Sequence, residues 1–136
     1  MPDYLRRGHA RARLIVAVVF VLAGVLHFVI APFYLAMMPP WLPAHPLLVQ
    51  FSGAAEILFG LGVLVDRTRV LAGWGLIALL IAVFPANVQM LLNAVAAHAG
   101  VLSLVLLTLR LPLQWVIGRW VYRVAVQVRA PATNAA

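Results

Sequence analysis

Four long runs of apolar residues dominate the sequence and constrain its fold more than any other feature. They cover about residues 14–31, 46–65, 70–92 and 101–121. A transmembrane helix needs about 20 predominantly apolar residues, so each run is long enough to cross a bilayer. The pattern therefore predicts an all-α integral membrane protein, a four-helix transmembrane bundle in which the whole chain, 1–136, forms a single membrane domain.

The small amount of charge excludes an ordinary water-soluble domain. Hydrophobic residues make up 65% of the chain, charged residues make up 10%, and the mean hydropathy is +1.06. A soluble fold of this length needs many more charged groups on its surface. The sequence also contains no cysteine, which excludes disulfide, dithiol and thiolate-metal chemistry.

The arginines form a membrane-topology signal. Nine of the ten basic residues, all of them arginine, lie in the N-terminal tail, the turn after the second run and the C-terminal end. The other two connections, 32–46 and 93–100, carry no arginine or lysine. The positive-inside rule then predicts that both termini are cytoplasmic, in the plasma membrane (the inner membrane of a bacterium). Because the arginines flank apolar runs, they do not indicate nucleic-acid binding.

The connection 32–45 is predicted to be an outer loop that caps the bundle, because it is rich in proline and in side chains that favour the interface. An alternative for this loop is a copper site on the outer side, formed by Met37, Met38 and His45. Adjacent methionines usually pack at an interface, so no metal is predicted. At the C-terminus, about residues 130–136 are predicted to be a disordered tail.

Glu56 and Arg110 are the strongest functional signal because each places a charge inside a predicted span. A charge near the bilayer centre costs about 2.5–3.5 kcal/mol. Both helices enter from the outer face, and both residues lie roughly 14 Å below it at 1.5 Å of rise per residue. The equal depth predicts an intramembrane ion pair. This pair could be part of a working site or a pin that only fixes the helix register.

Three further polar side chains are predicted at mid to outer depth. His27 lies in the first run on a face with small residues, Asn87 follows Pro85 in the third run, and Gln114 lies in the fourth run. Two of these residues could instead have a purely structural role. His27 could be a hydrogen-bonded core residue, and Asn87 could be a polar contact between helices. The predicted pocket residues are His27, Glu56, Asn87, Arg110 and Gln114.

Several of these residues fall in motifs that resemble the DoxX-like family of small membrane proteins. The motifs are Gly24-x-x-His27-Phe28, Met38-Pro39-Pro40-Trp41-Leu42-Pro43, Ser52-Gly53-x-x-Glu56-x-x-x-Gly60, Trp74, Phe84-Pro85-Ala86-Asn87-x-x-Met90 and Leu109-Arg110-Leu111-Pro112-Leu113-Gln114. They occur in this order over about residues 14–123. The resemblance implies a four-helix integral membrane protein. It also implies a subunit of a thiosulfate:quinone oxidoreductase or an accessory protein of a membrane redox assembly.

The leading functional hypothesis is an accessory or quinone-interacting component of a membrane redox system, with a polar pocket in the outer half of the bundle. Arg110 and Asn87 would donate hydrogen bonds to carbonyl oxygens, while Glu56 and His27 would exchange protons. No cofactor is identified beyond a quinone as candidate ligand, and no catalytic residue is assigned. The expected partners are the lipid bilayer, a membrane or periplasmic oxidoreductase and a second copy of the chain. The alternatives are a non-catalytic scaffold or assembly subunit, or a small oligomeric transporter.

Overall fold

The structure, a computed structural model, describes residues 3–127, with side chains from residue 9 onward. Within this range every regular element is helical. The elements are α1 (Asp3–Val29), the short α2 (Ala31–Ala36), α3 (His45–Gly62), α4 (Arg69–Ala96) and α5 (Val101–Val121), followed directly by a π-helical turn (Tyr122–Val126). The predicted disordered tail at 130–136 lies outside the described residues.

Three helical segments are long and apolar enough to cross a membrane, namely His9–Val29, Arg69–Ala96 and Val101–Val126. α3, with 18 residues, is not among them. Large apolar side chains are exposed along the outside of the helices; Leu22 on α1 is 59% exposed and Leu71 on α4 is 72% exposed. In water such a surface would be unfavourable, whereas lipid chains match it.

The helix boundaries differ from the predicted ones at several points. α1 begins at Asp3 instead of about residue 14, because the arginines, alanines and leucine of the tail are good helix formers and a helix need not end where a membrane does. α3 ends at Gly62 instead of residue 65, where the Thr68 hydroxyl donates to the Gly62 carbonyl at 2.8 Å. α4 continues to Ala96 instead of ending at residue 92.

The long helices form a bundle in which each packs against the next. α1 packs on α3, α3 on α4 and α4 on α5, and the π-helical turn returns to contact α1 and α4. Arg13 of α1 binds Asp66 at 2.6 Å, and Arg69, the first residue of α4, lies 3.9 Å from the same carboxylate. We call this end of the bundle, defined by Arg13, Asp66 and Arg69, the arginine end. α1 and α4 therefore start at the same end of the bundle.

The buried apolar core fills the half of the bundle nearest the arginine end. Its fully packed side chains are Val16, Phe20, Val63, Ala72, Leu76, Val121, Val124 and Ala125. The buried polar side chains lie further from the arginine end along each helix, and they are His27, Glu56, Asn87 and Gln114. The two halves of the bundle therefore differ, because the buried polar side chains lie only in the half away from the arginine end, among apolar ones.

α1 and α3 cross in very close contact at Gly24 and Gly53. A Cβ atom added at Gly53 would lie 2.6 Å from the Cβ of His27 and 2.9 Å from the carbonyl oxygen of Gly24. A Cβ added at Gly24 would lie 2.5 Å from the carbonyl oxygen of Gly53. Glycine on both helices allows the two backbones to approach this closely. The crossing brings His27 of α1 beside Glu56 of α3.

Candidate ligand-binding site

A cavity of about 280 Å³ lies in the half of the bundle away from the arginine end. Every helix contributes to its walls. The apolar part of the wall includes Val19, Phe20, Leu80, Val83, Leu113 and Ile117. All five residues of the predicted pocket line it, namely His27, Glu56, Asn87, Arg110 and Gln114. We call this space the central cavity.

Glu56 pairs with His27 across the α1–α3 crossing. The Nδ1 atom of His27 lies 3.3 Å from Oε2 of Glu56, and both residues are buried, with 7% and 8% of their surface exposed. The same Nδ1 atom lies 3.0 Å from the carbonyl oxygen of Ala23. Because a carbonyl oxygen only accepts hydrogen bonds, the Nδ1 atom of His27 must carry the hydrogen and donate a hydrogen bond to the Ala23 carbonyl. His27 is therefore held in one tautomer.

The carboxylate of Glu56 consequently has an unsatisfied atom. Its Oε2 atom is buried and accepts no hydrogen bond from any described residue. A buried carboxylate oxygen that accepts no hydrogen bond is costly, because it has lost its hydrogen bonds to water. Glu56 also lines the central cavity, so its carboxylate is the acceptor that a ligand's hydrogen-bond donor would meet there.

The predicted ion pair between Glu56 and Arg110 is not formed. Among the described residues no carboxylate oxygen lies within 4.0 Å of the Arg110 guanidinium. Its Nη1 atom instead lies 3.5 Å from the sulfur of Met90, which is a weak acceptor. Equal depth did not make Glu56 and Arg110 neighbours, because α5 packs on α4 whereas α3 packs on α1 and α4. The two opposite charges therefore line one cavity without meeting.

Asn87 and Gln114 form the polar contact between α4 and α5. The Asn87 amide donates to Oε1 of Gln114 at 2.6 Å, and the Gln114 amide donates to the carbonyl oxygen of Leu80. Pro85 lies inside α4 without ending it. Both amide side chains are thus held in fixed orientations in the cavity wall. Asn87 also forms a contact between helices, which is the structural role that the sequence left open for it.

Tyr34, which the sequence did not assign to the pocket, lies against His27. Their rings stack with centroids 3.8 Å apart and planes 23° from parallel. Burial raises the pKa of the Tyr34 hydroxyl, the charge of Glu56 raises it further, and the charge of Arg110 opposes this rise. Tyr34 is therefore a neutral hydrogen-bond donor in the cavity wall.

The connection between α1 and α3 lines the cavity at the end opposite the arginine end. Tyr34 of α2 contributes to its lining, together with Met37 and Met38. Two hydrogen bonds anchor this segment: the Asn93 amide donates to the Ala36 carbonyl at 3.1 Å, and the ring of His45 bonds the Pro39 carbonyl at 3.0 Å. The sequence predicted a capping loop, and the structure adds a short helix, α2, within it.

The central cavity has the properties of a small-molecule site. Its volume is near the lower end of the ~300–1,000 Å³ typical of ligand pockets, and its wall is mostly apolar with a few polar groups. Glu56 offers an acceptor, and Arg110 and Tyr34 offer donors. Within the described residues, no group of three or more His, Asp or Glu side chains is arranged to hold a metal ion. The cavity suits a largely apolar molecule with one donor for Glu56 and acceptors for Arg110 and Tyr34.

The fold and the central cavity define a small helical membrane protein with a ligand-sized space inside its bundle. A family model described as a domain of unknown function (DUF8561) matches residues 16–125, so the chain belongs to this family. The matched range contains every residue that lines the central cavity. No curated protein and no solved structure matches the chain.

Proposed function

We propose that the central cavity binds a molecule of the quinone class, and that it binds the reduced form, the quinol, more tightly than the quinone. The observation that carries this proposal is that Glu56, whose Oε2 atom accepts no hydrogen bond from any described residue, lines the same cavity as Arg110. A quinol hydroxyl can donate to Glu56, and a ring oxygen can accept from Arg110. The carbonyls of a quinone only accept, so the oxidised ring leaves Glu56 unsatisfied.

Such binding would make the chain a quinone-interacting component of a membrane redox system. Its motifs around Glu56, Asn87 and Arg110 resemble those of DoxX-like proteins, which supports this proposal. The 3.3 Å between His27 and Glu56 supports a further role for this pair, the exchange of a proton with the bound ring. The apolar wall of the cavity favours the ring itself.

The proposal is tested by titrating the purified chain in detergent under anaerobic conditions. The probes are dimethoxy-methyl-para-benzoquinone and its quinol, and calorimetry measures both affinities. We expect saturable binding of both, with the quinol about tenfold tighter or more, because a hydrogen bond to a charged group contributes ~1.5–3 kcal/mol. If a folded preparation binds neither form, the proposal fails and the scaffold alternative gains support.

We also propose that the chain crosses the bacterial inner membrane four times with both termini in the cytoplasm. α3 connects the far end of α1 to the start of α4 at the arginine end, which supports a crossing by α3 as well. Its 18 residues span roughly 27 Å, close to the ~30 Å of a hydrocarbon core. The arginines favour the cytoplasmic side.

This topology predicts the accessibility of single cysteines, which the cysteine-free chain makes simple to test. Trp41→Cys and His98→Cys, both at exposed positions, should react with a membrane-impermeant maleimide in intact cells whose outer membrane passes the reagent. Arg67→Cys, next to Asp66, should react only after the inner membrane is permeabilised. Reaction of Arg67→Cys in intact cells, or protection of His98→Cys, would contradict the proposed topology.

A further inference from the structure

One side of the central cavity is bounded by two helices that do not pack on each other. α1 packs on α3, and α5 packs on α4, but α1 and α5 have no extended contact within the described residues. Both helices nevertheless line the cavity, α1 with Val19, Phe20, Ala23 and His27, and α5 with Arg110, Leu113, Gln114 and Ile117. We call the space between these two helices, at the level of the cavity, the α1–α5 gap.

The bundle is closed between α1 and α5 near the arginine end but not beside the cavity. Near the arginine end the π-helical turn returns to α1, and Val16 and Phe20 of α1 share one apolar core with Val121 and Val124. Among the described elements, this turn alone packs on both α1 and α5. The α1–α5 gap is therefore a slit in the wall of the bundle, directly beside the cavity.

Two side chains that line the cavity are also exposed on the protein surface, one on each side of the gap. Val19 on α1 is 44% exposed and Leu113 on α5 is 52% exposed, whereas Gln114, at the contact between α4 and α5, is 8% exposed. Exposed apolar residues flank them on the outside of the bundle, for example Leu22 and Leu109. Both helices are long and apolar enough to cross a membrane, so the gap opens onto lipid.

We propose that the ligand of the central cavity is an uncharged, lipid-soluble molecule that enters and leaves sideways from the bilayer, through the α1–α5 gap. The inference rests on the proposed function, which places a ring in the cavity, and adds the phase from which that ring comes. Val19, Ala23 and Leu113 present only alkyl groups to the gap, so an uncharged ring passes them without losing hydrogen bonds. A charged molecule would have to leave water and cross lipid before it reached the gap, which is costly.

The polar groups of the two helices lie together at one end of the gap. α1 leads away from the arginine end and α5 returns to it, so His27 and Arg110 both lie at the outer end of the gap, whereas Val19 and Ile117 lie nearer the arginine end. Leu113 is three residues from Arg110, which is about one helical turn and places both side chains on the same face of α5. A ring that passes Leu113 therefore meets at once the guanidinium proposed to bind its oxygen.

The experiment narrows the gap after the protein has folded. Leu113→Cys and Val19→Cys are made singly in the cysteine-free chain, placed in lipid nanodiscs and labelled with N-benzylmaleimide, which adds an aromatic ring at the edge of the gap. Stopped-flow quenching of tryptophan fluorescence by dimethoxy-methyl-para-benzoquinone gives the association and dissociation rates, and calorimetry gives the affinity. We expect each adduct to slow both rates about tenfold and to leave the affinity unchanged, because the ligand must wait until the adduct moves aside but then binds in the same site.

Leu109→Cys and Val18→Cys, labelled in the same way, are the matched controls. They replace the same residue types on the same two helices, at positions that are 58% and 48% exposed, and neither residue lines the cavity. Both adducts should bind the probe with wild-type rates. Met38→Cys places the adduct where the connection between α1 and α3 lines the cavity, and so tests entry at the outer end.

The results separate this inference from the proposed function. If the probe does not bind the wild type, the proposed function fails and this inference with it. If the probe binds and the gap adducts keep wild-type rates, or only the Met38→Cys adduct slows binding, the ligand does not enter between α1 and α5. A lower affinity with an unchanged dissociation rate would place the adduct inside the site instead of at its entrance, and would also overturn the inference.

Discussion

Gly53→Ala is expected to separate α1 from α3 and to destabilise the bundle by about 1–3 kcal/mol, the range found for overpacked interiors. The added methyl group would lie 2.6 Å from the Cβ of His27 and 2.9 Å from the backbone of Gly24, and neither atom can move without shifting α1. Thermal unfolding in detergent, followed by circular dichroism, measures this loss as a lower midpoint. Binding of the quinol should weaken as well, because His27 would move away from Glu56.

Gly118→Ala is the matched control, since it makes the same change in a helix where the new Cβ meets only Leu80, at 3.8 Å. Its stability should be unchanged or higher by up to about 1 kcal/mol, because alanine is the better helix former. Gly24→Ala should be as harmful as Gly53→Ala, and the double variant should cost less than the two together, since both act on one contact. Equal midpoints for Gly53→Ala and Gly118→Ala would show that α1 and α3 do not cross as closely as described.

Glu56→Gln is expected to abolish the preference for the quinol. The amide keeps the shape of the side chain but loses the charge, so the affinity for the quinol should fall about tenfold. The amide also gains a donor that a quinone carbonyl can accept, so the affinity for the quinone should stay the same or rise. Folding should be preserved, because the substitution removes a buried charge without creating a cavity. Anaerobic calorimetric titration with both forms measures the change.

Arg110→Gln is expected to affect binding differently from Glu56→Gln. Arg110 donates to a ring oxygen in either redox state, so its loss should weaken quinol and quinone to a similar extent, about tenfold. Arg67→Gln is the control, because Arg67 is exposed and does not line the central cavity. If Glu56→Gln and Arg110→Gln bind both probes like the wild type, the ring does not lie between these residues.

Much of the fold could be predicted because membrane helices carry a strong signal in sequence. Long apolar runs indicate each helix, and the α5 run at 101–121 coincides with the helix in the structure. The ends of the other helices were predicted less accurately, at both ends of the bundle. Pro32, in the first turn of α2, is a helix-start signal that could have revealed this short helix, but a proline-rich segment was interpreted as a loop.

The residues that line the central cavity could also be predicted from the sequence, whereas the contacts between them could not. Polar residues are rare in the spans, so each one was conspicuous, and His27, Glu56, Asn87, Arg110 and Gln114 do line one cavity. Depth follows from helical rise, but which helices are neighbours depends on packing of the whole bundle. For that reason the sequence favoured Arg110 as the partner of Glu56, and the structure gives His27.

Two glycines decide the pairing of His27 with Glu56. Gly24 and Gly53 stand in the sequence motifs of His27 and Glu56, but the sequence alone does not show that these two glycines face each other. His27 and Glu56 are neighbours because α1 and α3 run antiparallel and each of these residues packs against the glycine of the other helix, His27 against Gly53 and Glu56 against Gly24. Tyr34 could not be found in this way, because its stacking on His27 depends on the path that the chain follows between α1 and α3.

The ratio of quinol to quinone affinity in the wild-type chain is the most direct test of the central claim, that Glu56 and Arg110 form two sides of one ligand site. Both affinities are measured anaerobically in the same detergent with dimethoxy-methyl-para-benzoquinol and its oxidised form. The unpartnered carboxylate oxygen of Glu56 predicts a ratio of about ten or more in favour of the quinol. A ratio near one, or tighter binding of the quinone, would contradict it.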